Sequence, residues 1–263
     1  MERYVPLKTS AEVAAIRASC RIAAEVLRHV ARQVREGVST RELDAAAAQL
    51  MRRRDAAPAM PEGFPGSIAV AVNDVAAHGA PSGYRLRRGD LVSIDVAVRY
   101  EGWHGDAALS LGVGRLDRGK RRLLAAARAA LRAAVCTARA GRRLGDIGAA
   151  VQAVAARRGC TVVGEMEGHG LGRELHEEPA VPSVGEAGAG ARIVPGMVLT
   201  VEPVLCTGRA GRTGRTGQPL LEPCGDGWGV RLADGGAAVH FEHTLAVFRG
   251  RTEVLTAPGR PWL

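Results

Sequence analysis

Aromatic residues are scarce in this chain: three each of Trp, Tyr and Phe, or 3% of 263 residues. A surface that stacks single-stranded bases needs several such rings, so the shortage disfavours that mode of binding. Long hydrophobic runs are also lacking. No stretch nears the ~18 continuous apolar residues of a membrane span, and the opening MERYVPLKTS has no signal-peptide core. The expectation is a cytoplasmic protein without membrane contact. Cysteine is sparse, odd in number and unclustered: Cys20, Cys136, Cys160, Cys206 and Cys224, with no C-x-x-C. That spacing argues against a disulfide framework and a structural zinc site, leaving small reduced residues.

Acidic residues are outnumbered by basic ones, 27 to 36, which sets the net charge at +9. Such a balance favours an anionic partner. The competing explanation is a genome rich in G and C, which inflates Ala, Gly and Arg and leaves ordinary solvated faces. Basic clusters lie at Arg52–Arg54, at Lys120–Arg122 and in GRAGRTGRTG, 208–217, which reads as a flexible low-complexity loop. With 46% apolar residues the chain can bury a substantial core, and a single domain over 1–263 is expected, including a helical region at about 5–55.

Helical and strand patterns alternate along the chain. Thr9 with Glu12 has the form of a capping box, and Val13, Ile16, Ile22, Val26, Leu27 and Val30 follow at helical spacing, predicting a helix over about 10–36. Ser39 with Glu42 repeats the signature and opens a second helix ending near Arg54. Three prolines make 55–66 a loop. Short β-branched runs follow, then Ala-rich helices over about 117–140 and 146–158, then strands in CTVVG, MVLTVEPVL, WGVRLA and HFEHTLAVF. This order predicts an α+β fold of two similar halves, each a helical pair laid on antiparallel strands.

The chemistry begins with misplaced acids. Asp95 stands inside the apolar run LVSIDVAV, and Asp106 follows a Gly-bearing turn. If Glu101-Gly102 forms a two-residue hairpin loop, Asp95 lies opposite Ala108 and Asp106 opposite Ala97, so the carboxylates share a face. A one-residue slip would separate them. Glu202 in MVLTVEPVL and Glu242 in AVHFEHTLAVF repeat the anomaly, each inside an otherwise apolar strand. Burying such acids is costly unless they are paired or hold a cation. Individually, Asp106 could instead stabilise a turn and Asp95 could be a satisfied core acid. With His169 the set reads as four carboxylates and one imidazole, suited to two hard divalent ions that share and acidify a water.

Six stretches in order, VNDVAAHGAP, GDLVSIDVAV, GWHGDAALSLGVG, GHGLGRELHEEP, GMVLTVEPVL and FEHTLAVF, resemble those of the type I methionine aminopeptidases. The likeness runs from about Tyr4 to Val254 and implies the pita-bread fold of two pseudo-symmetric halves. It implies metal ligation by Asp95, Asp106, His169, Glu202 and Glu242, with Co, Mn, Fe or Zn as the two divalent ions. It makes His78 and His176 substrate-contacting catalytic residues, and gives Glu202 a second task as proton acceptor. His104, His240 and His243 receive no role, the last because it should face away from Glu242. The methionine side chain would meet Pro61, Phe64, Ala69, Leu175 and Trp228. Pro61, Ala69 and Leu175 stand where tyrosine, cysteine and phenylalanine are common in the family.

The activity so implied is removal of the initiator methionine from nascent polypeptide N-termini, with small second residues preferred. Neither a zinc-binding N-terminal extension nor a long insertion of the type II kind is expected. The expected partners are nascent chains, with a ribosome contact through the basic surface as an addition; neither sequence-specific DNA nor a stable oligomer is expected. Two rival readings share the fold: an Xaa-Pro aminopeptidase, and a non-catalytic ribosome- or RNA-binding protein.

Overall fold

The computed structural model describes residues 4–207 and 219–257, so the Gly/Arg stretch at 208–217 lies outside the described residues. Both predicted capping boxes are present. Thr9 caps α1 (Ser10–Ala31) and Ser39 caps α2 (Thr40–Arg53), and the Glu12 and Glu42 carboxylates accept from the backbone amides of those cap residues. Helix α1 ends five residues short of the expected Glu36. Gly37, with φ of 85°, closes the following turn, where its amide donates to the Leu86 carbonyl.

Strands β1 (Ala57–Pro58), β2 (Ala69–Val72), β3 (Val75–Ala77), β4 (Leu91–Tyr100) and β5 (Trp103–Gly112) complete the first half. The central β4 pairs antiparallel with β1, β2 and β5, while β3 leaves for another sheet. Glu101 and Gly102 have φ of 50° and 76°, the two positive values of a type I′ turn. Tyr100 therefore pairs with Trp103, Asp95 with Ala108 and Ala97 with Asp106, the register expected for a two-residue loop. Val26, Leu27, Leu43 and Met51 of the helices pack on Ile68, Ile94, Val96 and Val98 beneath them.

The second half repeats the plan. Helices α3 (Arg118–Thr137) and α4 (Leu144–Arg157) lie beside each other, their Ala, Leu and Val stripes buried against strands. Those strands are β6 (Thr161–Val162), β7 (Gly168–Gly170), β8 (Glu177–Val181), β9 (Val198–Val201) and β10 (Val204–Cys206). Then come β11 (Leu221–Pro223), β12 (Val230–Leu232), β13 (Ala238–His240), β14 (His243–Phe248) and β15 (Arg251–Val254). A five-stranded sheet runs β15-β14-β9-β7-β8, and three-stranded sheets run β13-β10-β6 and β11-β12-β3. The α+β architecture and its helix-on-sheet halves are as expected.

One expectation is corrected. Glu202 and Glu242 do not lie inside strands. The ladder that pairs β9 with β14 ends at Val201 and His243, and the one that pairs β10 with β13 resumes at Val204 and His240. Glu202-Pro203 and Phe241-Glu242 form the facing breaks between two sheets. The physical cause is local. Pro203 has no N–H to give a ladder, and the Glu242 amide turns to the Ala108 carbonyl of β5 at 2.9 Å.

Candidate metal centre

The two aspartates come from one hairpin and the other acids from the paired breaks. His169 comes from β7, where its amide donates to Thr200 Oγ1 at 2.8 Å and its Nδ1 lies 2.9 Å from the Gly170 carbonyl. That second contact leaves Nε2 pointing at the acids: 3.7 Å from Asp106 Oδ2 and 3.5 Å from Glu202 Oε1. Ligand atoms of Asp106, His169 and Glu242 all lie within 4.8 Å of one another, and all three residues are buried. Glycines make this crowding possible. A Cβ at Gly168 would stand 2.5 Å from the Thr200 carbonyl oxygen, and one at Gly170 would stand 2.2 Å from that of Glu178.

Electrostatics mark the cluster as incomplete without a cation. Burial first, then the charges of Asp95 and Glu202, raise the Asp106 carboxyl well above its ordinary value. Burial, then Asp106, Glu202 and Asp95, do the same to Glu242. Enclosure raises Asp95 to about 7, and raises Glu202 to about 8 against an opposing hydrogen bond from Thr200 Oγ1. Burial and the nearby His176 lower His169 to about 4, so its ring is a neutral nitrogen donor. Asp106 Oδ1 and Glu242 Oε1 are buried with no hydrogen-bond partner among the described residues. Orphaned carboxylate oxygens beside a neutral imidazole fit a hard divalent ion.

The other two expected histidines border the cluster. The rings of His169 and His176 meet edge to face with centroids 4.3 Å apart. Surrounding protein lowers the pKa of both His78 and His176 although each keeps solvent contact, and His176 also feels His78 and His104. His78 holds φ of 56°, an uncommon value for a residue with a Cβ, and the strained turn is fixed by Gly79, whose carbonyl accepts the Val70 amide. The loop before His176 is fixed by Glu177. Its Oε1 accepts the amides of Arg173 and Glu174, and its Oε2 meets the buried ammonium of Lys8 at 2.5 Å.

Of the five residues expected at the methionine side chain, Phe64 and Trp228 form a T-shaped pair with centroids 5.2 Å apart. The Phe64 amide donates to the Pro61 carbonyl, and Ala69 pairs with Asp95 across β2 and β4. Leu175 packs against a small cluster that includes Val13, Ile16, Trp103 and Leu171. His243 is turned to Thr256 Oγ1 at 2.8 Å, and His104 Nδ1 lies 3.3 Å from the Gly172 carbonyl. His240 is the residue that sequence reasoning missed. Its buried Nε2 has no hydrogen-bond partner among the described residues and lies 3.7 Å from Glu202 Oε2. Its spacing of two from Glu242 was the available signal, since alternate residues of an extended chain share a face.

The profile of metallopeptidase family M24 matches residues 14–248. The methionine aminopeptidase of Treponema pallidum is 40% identical over 256 residues, covering 97% of each chain. A crystal structure of methionine aminopeptidase from Rickettsia prowazekii superposes with a TM-score of 0.90 at 32% identity, covering 97% of this chain and all of the other. The prolidase of Pyrococcus furiosus shares the fold alone, with a TM-score of 0.74 at 23% identity, and this chain spans 66% of it. By near full-length identity and superposition, the chain belongs to metallopeptidase family M24, among its type I methionine aminopeptidases.

Proposed function

We propose that the protein is a metal-dependent aminopeptidase that releases the first methionine of a polypeptide, using Asp95, Asp106, His169, Glu202 and Glu242 to hold two divalent ions. The observation that carries this reading is the buried Asp106, His169 and Glu242 cluster, with its unpartnered carboxylate oxygens. Bound divalent ions there would supply Lewis acidity and a water acidic enough to attack an amide near neutral pH. The chain's own groups do the rest. Glu202, steadied by Thr200 Oγ1, accepts the proton of the attacking water. His176 hydrogen-bonds the scissile carbonyl as charge gathers on it, and His78 contacts the adjoining peptide nitrogen. Phe64 and Trp228 wall the methionine side chain, with Pro61, Ala69 and Leu175 as neighbours that leave the pocket apolar.

The substrates in the cell are nascent chains with small second residues, and the protein acts as one catalytic unit, since both halves contribute ligands. A monomer in the cytoplasm, aided by ribosome contact, completes the proposal. Co, Mn, Fe and Zn are the candidate ions.

Chelator-stripped protein resupplied separately with each ion, and given Met-Gly-Met-Met beside an Ala-Pro-led peptide, tests this. Metal-dependent methionine release with little cleavage before proline is expected; preference for the proline peptide would make the Xaa-Pro alternative correct. Replacing His78 or His176 by Ala should lower turnover by roughly 10²–10⁴. Near-normal rates in both variants would remove their assigned roles.

A further inference from the structure

The chain's positive charge is not spread along it. Residues 115–158, which hold α3, α4 and their connection, carry twelve Arg or Lys against two Asp, a net charge of +10. The whole chain stands at +9, so all its other residues together sum to −1. A base-composition bias would raise arginine everywhere; this excess is confined to one helical pair. Nor is it neutralised within the fold. Among the described residues the ion pairs of lysine and arginine join Lys8, Arg17, Arg54, Arg85 and Arg231 to glutamates, and none comes from this segment. Both of its aspartates are taken up by backbone amides. Asp117 Oδ1 accepts from Lys120, and Asp146 accepts from Arg143 and Gly188.

Ten of the twelve cations are exposed; Lys120 and Arg143 are half-buried, the Lys120 ammonium donating to Asn73 Oδ1 and the Gly89 carbonyl. The apolar side of α3 is buried with the strands of the second half, while Arg128, Arg132, Arg157 and Arg158 are exposed. An open groove along α3 is lined by Ala125, Ala129 and Ala133, with Arg128, Arg132 and Arg158 beside them. Eleven of the twelve cations are arginine, whose planar fork suits paired phosphate oxygens. No aromatic residue occurs in 115–158, so nothing there stacks a base. The exposed large apolar residues among those described are Tyr4, Leu7, Tyr84 and Leu220, so these helices offer a membrane no apolar anchor.

We propose that the exposed α3–α4 face docks on the phosphate backbone of helical RNA. Charge complementarity identifies a polyanion, the absence of aromatics a duplex, and the small alanine stripe a groove that a backbone can approach closely. The choice of RNA over DNA rests on the proposed action on nascent chains, which are made on RNA.

The test uses the full chain and a labelled RNA duplex of about 20 base pairs, read by fluorescence anisotropy between about 50 and 200 mM KCl. Binding should be present at low salt and weaken by at least about 100-fold across that range. The variant R132E/R157E/R158E should lose at least about tenfold in affinity, while R41E/R52E/R53E, an equal charge change on α2, should lose less than about twofold. Arg128 is left intact because its guanidinium lies over the Phe241 ring. Both variants should release methionine from a free peptide at the wild-type rate, which shows that they fold. No binding at low salt, equal losses from the two triple variants, or equal affinity for polyglutamate would overturn the proposal, and tighter binding of duplex DNA would overturn the choice of RNA. If RNA binding follows this pattern but no peptide is cleaved with any ion, the docking face stands and the aminopeptidase reading fails.

Discussion

Lys8 is the residue whose removal should separate loop position from metal binding. Its ammonium and the Glu177 carboxylate are nearly out of solvent, at 6% and 11% side-chain exposure, and Glu177 also ties down the amides of Arg173 and Glu174. Lys8→Met leaves the carboxylate buried with fewer donors, which should lower stability by about 3 kcal/mol. Displacement of His176 by a fraction of an ångström should cut kcat roughly tenfold. Metal affinity measured by calorimetry should stay unchanged, because the hydrogen bonds of the Lys8 ammonium reach none of the four acids or His169; a parallel loss of metal affinity would show that the pair supports the whole centre. This coupling was not legible in the sequence, since the partners lie 169 positions apart and each is an ordinary charged residue in isolation. The acids were legible because a carboxylate between Ile94 and Val96, or between Val201 and Pro203, has no bland place to go. His240 went unread because a histidine in a strand so often satisfies itself.

At the scale of elements, the β4–β5 hairpin and its packing against α1 decide where Asp95 and Asp106 stand. The register could be read from the sequence only conditionally: a two-residue loop at Glu101-Gly102 fixes every pair beyond it, and the positive φ of both residues meets that condition. The breaks at Glu202 and Glu242 could not, because they depend on which sheet each half-strand joins, a choice made by distant partners. Gly105 controls the approach of α1. A Cβ there would lie 2.4 Å from the Cys20 amide nitrogen and 2.5 Å from the Ser19 carbonyl carbon, both backbone atoms that cannot swing away. Gly105→Ala should therefore destabilise the protein by about 3 kcal/mol or more, read as a lower urea midpoint at unchanged slope. Since Asp106 is the next residue, weaker metal binding should accompany it. An unchanged midpoint would mean that α1 can withdraw without cost.

For the molecule as a whole, the buried acids set a pH dependence with a definite sign. Asp95, Asp106, Glu202 and Glu242 titrate higher in the folded state than in the unfolded one, so between about 4 and 8 the folded protein holds more protons and stability falls as pH rises. His169 and His240, lowered to about 4 and about 3, act in the opposite direction but only below about 6.5. The carboxylates alone govern the window from about 6.5 to 8. Metal-free protein should lose stability there, on the order of 2 kcal/mol, and saturating divalent ion should remove the slope. Thermal melts at several pH values, with and without chelator, measure both, and a metal-free protein with no slope in this window would contradict the assignment of these acids to one buried cluster.

The bond from the Glu242 amide to the Ala108 carbonyl has one more consequence. It joins the backbone of a candidate ligand of the second half to the β4–β5 hairpin that carries both first-half aspartates. A single proton, exchanging with deuterated solvent only when the halves part, is thus a built-in clock for their separation. Its exchange rate, followed by NMR with and without divalent ion, should slow on metal addition while amides on the outer turns of α2 keep their pace.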